Sequence, residues 1–279
     1  ELFKHKGVMS TPLSYRDVTI ANHTPKVVTK RVRRTSMPTF AKHILPTQWG
    51  SGLYRGETSV AHLYIRNSIH IAKKLKQFLA ILFLDISTAF AALIRHLIFD
   101  ITAGDEAWLH RLASLGLSDN DVRDIYKAAT ASVFSDTERR DISFLFAEVL
   151  HTFTWSTLEG LTECLRATQG TMAGMPLADI VYVLAMARII KHIRTSLGDA
   201  GLTTFLPITS DKSASVDDCS YIDDCAFPVF ADHDRLLHKL SASAAIITNS
   251  FARHDLVVNF APGKTEAMVM WYGKGAHAT

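Results

Sequence analysis

The chain has few cysteines and no long apolar run, and both absences exclude classes of protein. Its three cysteines, Cys164, Cys219 and Cys225, contain no Cys-x-x-Cys pair, which argues against a disulfide framework and against a thiolate zinc site. The longest uncharged apolar runs, residues 78–84 and 180–187, are far shorter than the roughly 20 residues that a membrane-crossing helix needs. We therefore expect an intracellular protein of a reducing compartment, nuclear or cytoplasmic, with no membrane span.

The chain also lacks an initiator methionine, an apolar signal segment, an internal repeat and a low-complexity stretch. We therefore expect a trimmed domain or fragment rather than a complete secreted precursor. The composition is that of a globular protein, because 48% of the 279 residues are hydrophobic and 9% are aromatic. It excludes disorder, collagen-like repeats and coiled coil, and it predicts an α/β or α+β fold.

Positive charge is concentrated at the start of the chain. The first 50 residues contain nine lysines and arginines against two acids, whereas the remainder contains 21 basic and 25 acidic side chains. Such a split indicates either a solvated basic face or a lobe that binds a polyanion.

Hydrophobic periodicity predicts the order of the main elements. Residues 58–78 have apolar positions at helical spacing, and the apolar run 79–84 that follows is typical of a strand buried on both faces. Residues 1–58 are expected to be irregular, with β-like stretches such as 17–20 and 26–29 and a helix. The other helical patterns, with Ser118 as one expected cap, lie at residues 89–99, 100–165, 177–193 and 235–254.

The clearest β pattern is a hairpin over residues 215–230, with Asp223 and Asp224 in its turn. The preceding Asp217 and Asp218 lack aromatic flanks and are interpreted as solvated turn formers. Two closing strands, 256–258 and 267–272, are predicted around a Pro262-Gly263 turn.

Three aspartates stand where metal chemistry is favoured. Asp85 ends the apolar run 79–84, and Asp223 and Asp224 lie at the hairpin tip. A lone buried carboxylate is costly unless it is paired or coordinates a cation. Oxygen ligands select Mg²⁺ or Mn²⁺, and two such ions can clamp the attacking and leaving oxygens of a phosphoryl transfer.

Six ordered segments carry a resemblance to a known family. Tyr221-Ile222-Asp223-Asp224 has the form Tyr-x-Asp-Asp, and residues 83–90 read as an apolar strand, Asp85 and then Ala89-Phe90. Together with residues 15–18, 48–58, 170–179 and 256–266, these segments resemble, in order, the finger element Tyr-Arg-x-Ile, the segment before motif A, and motifs A, B, C and D of reverse transcriptases of non-LTR (LINE-type) retrotransposons. The resemblance spans nearly the whole chain.

The resemblance implies an α+β fold of the right-hand polymerase type, with a palm of antiparallel sheet backed by helices, a mainly helical fingers region and no thumb. It divides the chain into residues 1–80 (basic N-terminal fingers), 81–100 (palm motif A), 101–176 (helical insertion ending in the motif B loop) and 177–279 (palm with motifs C and D). Because the chain ends soon after motif D, we expect no full thumb, RNase H or endonuclease, poor processivity, and a larger parent polyprotein.

The implied activity is that of an RNA-directed DNA polymerase, a nucleotidyltransferase. A DNA primer 3′-hydroxyl would attack the α-phosphate of a dNTP on an RNA template, with salt-sensitive phosphate contacts to both strands. Asp85, Asp223 and Asp224, with the backbone carbonyl of Ile86, would hold two Mg²⁺ ions, or Mn²⁺. Lys264 would protonate the pyrophosphate leaving group.

The resemblance also implies substrate-binding residues. Lys4, Lys6 and Arg16 look like fingers residues that grip the triphosphate, with plain surface charge as the alternative. Phe90 matches an aromatic gate that crowds a ribose 2′-hydroxyl, with a core phenylalanine as the alternative. The remaining substrate-binding candidates are Gly170, Gly174, Pro176 and Tyr221.

Two departures from the family pattern keep alternatives open. Ala173 stands where motif B usually carries glutamine, and Asp179 where proline is common. A decayed or repurposed copy that binds nucleic acid without polymerising is therefore the main alternative. A small-molecule nucleotidyl transferase or cyclase with a similar palm is a third hypothesis, which the basic first 50 residues disfavour. A Walker A loop at residues 263–265 is excluded because Val258 stands in place of its first glycine.

Overall fold

A computed structural model describes residues 23–52, 57–157, 162–207, 211–216 and 218–273, and the backbone of residues 2–3 and 15–16. The helices are α1 (His23–Phe40), α2 (Thr58–Leu75), α3 (Ala89–Ala92), α4 (Asp105–Ser114), α5 (Asp119–Thr130), α6 (Asp136–Arg139), α7 (Ile142–Thr152), α8 (Ala178–Asp199) and α9 (Leu236–Arg253). The strands are β1 (Leu2–Phe3), β2 (Tyr15–Arg16), β3 (Gln48–Trp49), β4 (Phe78–Leu84), β5 (Trp155–Ser156), β6 (Leu165–Arg166), β7 (Thr204–Pro207), β8 (Ser213–Val216), β9 (Cys219–Tyr221), β10 (Asp224–Ala231) and β11 (Glu266–Met270). In the described part of the chain, every helix is too short or too polar to cross a bilayer.

The chain forms two compact units. The first unit comprises Glu1–His43 and Thr88–Tyr182, and the second comprises Ile44–Ser87 and Val183–Thr279. The chain passes from one unit to the other after His43, after Ser87 and within α8. The α+β class is confirmed, whereas the division into fingers and palm stays a prediction.

A five-stranded sheet, in the order β11-β4-β10-β9-β3, is the main feature of the second unit. Three of its pairings are antiparallel, and β3 runs parallel to β9. The sheet expected to be antiparallel is therefore mixed, because Gln48 and Trp49 enter it beside the hairpin and run parallel to Ser220 and Tyr221.

Strand β4 is buried on both faces, as the apolar run predicted. Alternate side chains of a strand point to opposite faces, and here Leu79 and Ile81 pack with Ala72 of α2. On the other face, Phe78 and Ala80 pack with Leu236 of α9. An apolar run in this position is stable because helices cover the strand on both sides.

Helix α1 corrects the prediction for residues 26–29, which were expected to be β-like. Its buried positions, Thr29, Ser36 and Phe40, lie along one face. Thr29 and Ser36 donate their hydroxyls to the carbonyls four residues earlier, at 2.8 Å and 2.9 Å. Phe40 packs edge-on against Phe144 of α7. Tertiary packing thus outweighs the β propensity of the valines and threonines here.

The helix predicted at residues 89–99 is interrupted. Helix α3 ends at Ala92, and a short 3₁₀ turn at Arg95–Leu97 follows. The break coincides with two backbone bonds, from Gly170 to the Leu93 carbonyl and from Thr171 to the Phe90 carbonyl, both at 2.7 Å. These carbonyls accept from the loop instead of from a continuing helix.

Residues 100–165 are predominantly helical, as predicted, except that β5 pairs with β6 in a short hairpin. Ser118 does cap α5, because it accepts from the Asp121 amide in a reciprocal capping box. The strand expected at 256–258 is reduced to one bridge between Val258 and Ile86. Cys164, Cys219 and Cys225 are all free thiols.

Candidate active site

The register of β4 and β10 brings the predicted aspartates together. Cys225 pairs with Leu84 at the end of this antiparallel ladder. Asp224 precedes Cys225 and Asp85 follows Leu84, so the two aspartates lie next to each other beyond the last pair. Asp224 is the first residue of β10 and pairs with Tyr221. The predicted turn is therefore corrected: Ile222 and Asp223 alone form it, and the hairpin begins at Cys219, because Ser213–Val216 pairs with β7 instead.

The hairpin tip adopts a conformation that depends on Gly50. Ile222 has a φ of 59°, which is rare for a β-branched residue and strained. Its amide donates to the Trp49 carbonyl at 3.3 Å. A Cβ added to Gly50 would lie 2.8 Å from Cγ1 of Ile222, so a side chain at position 50 would collide with the tip that carries Asp223.

The three carboxylates interact electrostatically. Burial raises the pKa of Asp223, and the charge of Asp85 raises it further. Burial also raises the pKa of Asp224, to which the charges of Asp223 and Asp85 add, while Lys264 acts in the opposite direction. When the three carboxylates are ionised, their negative charge exceeds the positive charge of nearby side chains. A bound cation would supply the missing positive charge.

Asp85 is held by the segment that follows α9. Its Oδ2 accepts from Nδ2 of Asn259 at 2.7 Å, and its Oδ1 lies 3.4 Å from Nζ of Lys264. Its amide donates to the Thr265 hydroxyl at 3.2 Å. Lys264 was predicted, whereas Asn259 and Thr265 were missed; their polar side chains on either side of the Pro262-Gly263 turn were the available signal.

The donor set fits a hard divalent cation in its chemistry, because every side-chain candidate is a carboxylate. The positions of the side chains do not form a complete metal site. Among the described residues, no group of three or more His, Cys, Asp or Glu is spaced to hold a metal ion. Binding of one shared ion would therefore need these carboxylates to come closer to one another. The Ile86 carbonyl as a ligand stays a prediction.

Asp218, at the start of β9, is a structural residue and not a solvated turn former. It is fully buried and pairs with Arg194, whose Nε donates to its Oδ1 at 2.7 Å. The Thr47 hydroxyl donates to its Oδ2 at 2.8 Å. Sequence reasoning failed here because the partner is 24 residues away. Asp217 lies outside the described residues.

The loop at residues 170–176 belongs to the first unit and is held by Arg95. This arginine is 2% exposed. It donates to the carbonyls of Ala167, Gln169 and Gly170 at 2.8 Å, 2.9 Å and 2.8 Å, and also to that of His151. Burial and the nearby Arg166 lower the Arg95 pKa to about 10. Sequence reasoning did not identify this residue.

Gly170 is required by close backbone contact. Its φ is +78°, and an added Cβ would lie 2.6 Å from the carbonyl oxygen of Ala91. Phe90, whose carbonyl bonds to the same loop, stacks on Tyr182 with ring centroids 4.7 Å apart. This packing agrees with the alternative of a core phenylalanine, and a gating role for Phe90 stays a prediction.

Asp179, the departure from the family pattern, has a partner on α1. Arg33 forms an ion pair with it through both guanidinium nitrogens, one at 3.0 Å from Oδ2. Arg33 also donates to the Pro176 carbonyl, and the Asp179 Oδ1 accepts from the Ile180 amide at 2.9 Å. The aspartate thus ties the start of α8 to α1.

Telomerase structures align with most of this chain, at low identity and with TM-scores below 0.5. The apo telomerase of Candida tropicalis truncated from its C-terminal domain aligns with 16% identity and a TM-score of 0.46, over 90% of this chain and 41% of that chain. The apo telomerase of Candida tropicalis aligns with 12% identity and a TM-score of 0.44, over 89% and 37%. The telomerase of Candida albicans in complex with the TWJ fragment of telomeric RNA aligns with 8% identity and a TM-score of 0.43, over 88% and 35%.

The chain spans about two-fifths or less of the length of these telomerase structures. At this level of similarity, the likeness assigns neither an activity nor a ligand to this chain. No family model matches the sequence, and no curated protein matches it.

The predicted site residues divide between the two units. The second unit contains the catalytic and metal-binding candidates Asp85, Ile86, Asp223, Asp224 and Lys264, and the substrate-binding candidate Tyr221. The first contains Phe90, Gly170, Gly174 and Pro176. Arg16 pairs with Leu2 through its backbone in β2. Lys4 and Lys6 lie outside the described residues.

Proposed function

We propose that the chain is an RNA-directed DNA polymerase domain of the non-LTR retrotransposon type. The observation that carries the proposal is the register that pairs Cys225 with Leu84, because it brings the adjacent Asp224 of the Tyr-Ile-Asp-Asp hairpin and Asp85 to the same end of the two strands. The motif order in the sequence required these widely separated carboxylates to meet. Besides burial, the charge of Asp85 raises the pKa of both Asp223 and Asp224, which supports the same meeting point.

In this proposal, Asp85, Asp223 and Asp224 hold the divalent ions. Bound Mg²⁺ would favour the alkoxide of the primer 3′-hydroxyl and stabilise negative charge on the phosphates. The 3′-hydroxyl would lose its proton to solvent, and its oxygen would bond to the α-phosphorus of the dNTP as the bond between that phosphorus and the oxygen bridging to the β-phosphorus breaks, which releases pyrophosphate. Lys264, which is exposed and adjacent to Asp85, donates a proton to the departing pyrophosphate.

The proposed substrates are an RNA template, a DNA primer and dNTPs. Arg16, Lys4 and Lys6 would bind the triphosphate, Phe90 would exclude ribonucleotides, and Tyr221 with the loop at 170–176 would contact nucleotide and template. Because phosphate contacts dominate such binding, affinity for primer and template should fall steeply as salt rises.

A primer-extension assay on an RNA template with Mg²⁺ tests the proposal. Asp223→Asn should abolish extension, because it removes a ligand charge while it preserves size. Asp234→Asn is the matched control, since Asp234 is exposed in the same unit and outside the carboxylate group. Extension that persists in Asp223→Asn, or depends equally on Asp234, would contradict the polymerase assignment.

A second candidate function is a decayed or repurposed domain that binds nucleic acid without polymerising. Two observations favour it: Ala173 replaces the motif B glutamine, and the described carboxylates are not gathered for a metal ion. It predicts salt-sensitive RNA binding in the parent and in Asp223→Asn alike, with no extension by either protein.

A further inference from the structure

The segment from Val257 to Thr265 closes over the end of β4 through backbone bonds. Ser87 donates to the Val257 carbonyl at 2.8 Å, and the Asn259 amide donates to the Asp85 carbonyl at 2.8 Å. The Thr265 amide returns to the Asn259 carbonyl at 3.1 Å. Asn259 is therefore fixed at its main chain, independently of what its side chain does.

The Asn259 side chain has a defined orientation. Its Oδ1 accepts from the Ala261 amide at 3.1 Å, and its Nδ2 donates to Oδ2 of Asp85 at 2.7 Å. If the amide were flipped, its oxygen would face the Asp85 carboxylate and its NH₂ would face the Ala261 N–H. Both contacts would then be repulsive, so both identify the atom near Asp85 as Nδ2. The carboxylate of Asp85 is thus held by one oxygen.

The other oxygen of Asp85 remains available for a cation. Oδ1 has Lys264 as its neighbour at 3.4 Å, which is a long, solvent-exposed contact that an incoming ion can replace. Carboxylate ligands are commonly oriented by a hydrogen-bond donor on the oxygen that does not bind the metal, and loss of that donor typically costs 10- to 100-fold in metal affinity.

We propose that Asn259 is a positioning residue that anchors Oδ2 of Asp85 and presents Oδ1 to the catalytic cation. The proposal rests on the proposed function, because it assigns Asp85 a metal ligand's role. It gives Asn259 no contact with substrate, and it predicts a defect in cation affinity that high cation concentration overcomes.

The test is Mn²⁺ binding to the full chain, measured by calorimetry and by electron paramagnetic resonance. Asn259→Leu keeps the approximate volume and removes the donor, so affinity should fall about tenfold or more. Asn67→Leu is the matched control, since Asn67 is exposed on α2 in the same unit, and its affinity should equal that of the parent.

A second variant separates positioning from local folding. Asn259→Ser can still accept from the Ala261 amide in a shorter turn, but its hydroxyl is too short to reach the Asp85 carboxylate as the amide does. It should keep the parent melting temperature and lose Mn²⁺ affinity to the same extent as Asn259→Leu. In primer extension, raised Mg²⁺ should restore the rate of both variants.

The outcomes distinguish this inference from the proposed function. Parent-like Mn²⁺ affinity in Asn259→Leu or Asn259→Ser, with binding lost in Asp223→Asn, would overturn the role of Asn259 and leave the polymerase site standing. Absence of Mn²⁺ binding by the parent at millimolar concentration would overturn both. A defect that raised Mg²⁺ does not correct would show a structural role and overturn the inference.

Discussion

The two units hold their candidate residues in different ways. In the second unit, the register of β4 with β10 pairs Cys225 with Leu84, so that the neighbouring Asp224 and Asp85 lie at the same end of the two strands. In the first unit, the candidate loop is held at its start by Arg95 and at its end by Arg33. Paired strands are joined by many backbone hydrogen bonds, so a single side-chain substitution leaves most of them in place. A loop that is held by two arginine side chains depends on each of those side chains.

Buried charge also differs between the units. In the second unit, the fully buried Asp218 is neutralised by Arg194. In the first unit, the buried Arg95 is surrounded by backbone carbonyls that carry only partial charges. Removal of either partner of a buried ion pair leaves an uncompensated charge and destabilises the fold. The bonds of an arginine to backbone carbonyls are lost only when the arginine itself is replaced.

The largest effect should come from Arg194→Met. This change leaves the Asp218 carboxylate buried without its cation and should lower the free energy of unfolding by about 3–5 kcal/mol in urea denaturation. The double variant Arg194→Met with Asp218→Asn should recover much of the loss.

Arg95→Met should lower the free energy of unfolding by about 2–3 kcal/mol. A loss in Arg95→Met no greater than in the exposed Arg123→Met would break the comparison.

A second prediction uses buried histidines, one in each unit. Burial lowers the pKa of His151 and of His254 to about 4, although Nδ1 of each ring donates to a backbone carbonyl four residues earlier. The unfolded chain takes up protons near pH 6.5 while the folded chain does not. Stability is therefore complete above pH 6.5 and is lost as the pH falls toward 4, by up to about 3 kcal/mol for each group.

His254 of the second unit should contribute more to the loss of stability in acid than His151 of the first. His254 lies 5.7 Å from His192, whose pKa is lowered by burial and by Arg253. Free energies of unfolding at pH 7.5 and pH 4.5 would check this, since His254→Gln should flatten the profile more than His151→Gln. A larger effect from His151→Gln would contradict the difference between the units.

The smallest predicted effects concern glycines. Gly170→Ala meets the Ala91 backbone at 2.6 Å and should cost about 2–3 kcal/mol. Gly50→Ala meets a movable Ile222 side chain at 2.8 Å and should cost less. Gly116→Ala, where φ is +79° and nothing lies within 4 Å, should cost only about 1 kcal/mol. Thermal denaturation ranks the three variants, and equal losses would show that the contacts are irrelevant.

Local patterns predicted what depends on neighbours in the chain. The apolar run that became β4, the hairpin around Asp223 and the cap at Ser118 were predicted because periodicity and turn chemistry act over a few residues. The prediction for residues 26–29 was wrong because valine and threonine favour strands locally. Packing of the helix, such as that of Phe40 against Phe144, outweighs this preference.

The sequence by itself determined which segments are apolar enough to be buried and which carboxylates follow them. Only the tertiary structure decided what those carboxylates contact: Asn259 is 174 residues from Asp85, and Arg33 is 146 residues from Asp179. The physical reason is that burial is a property of each side chain, whereas a hydrogen bond or ion pair needs two groups whose distance only the folded chain sets.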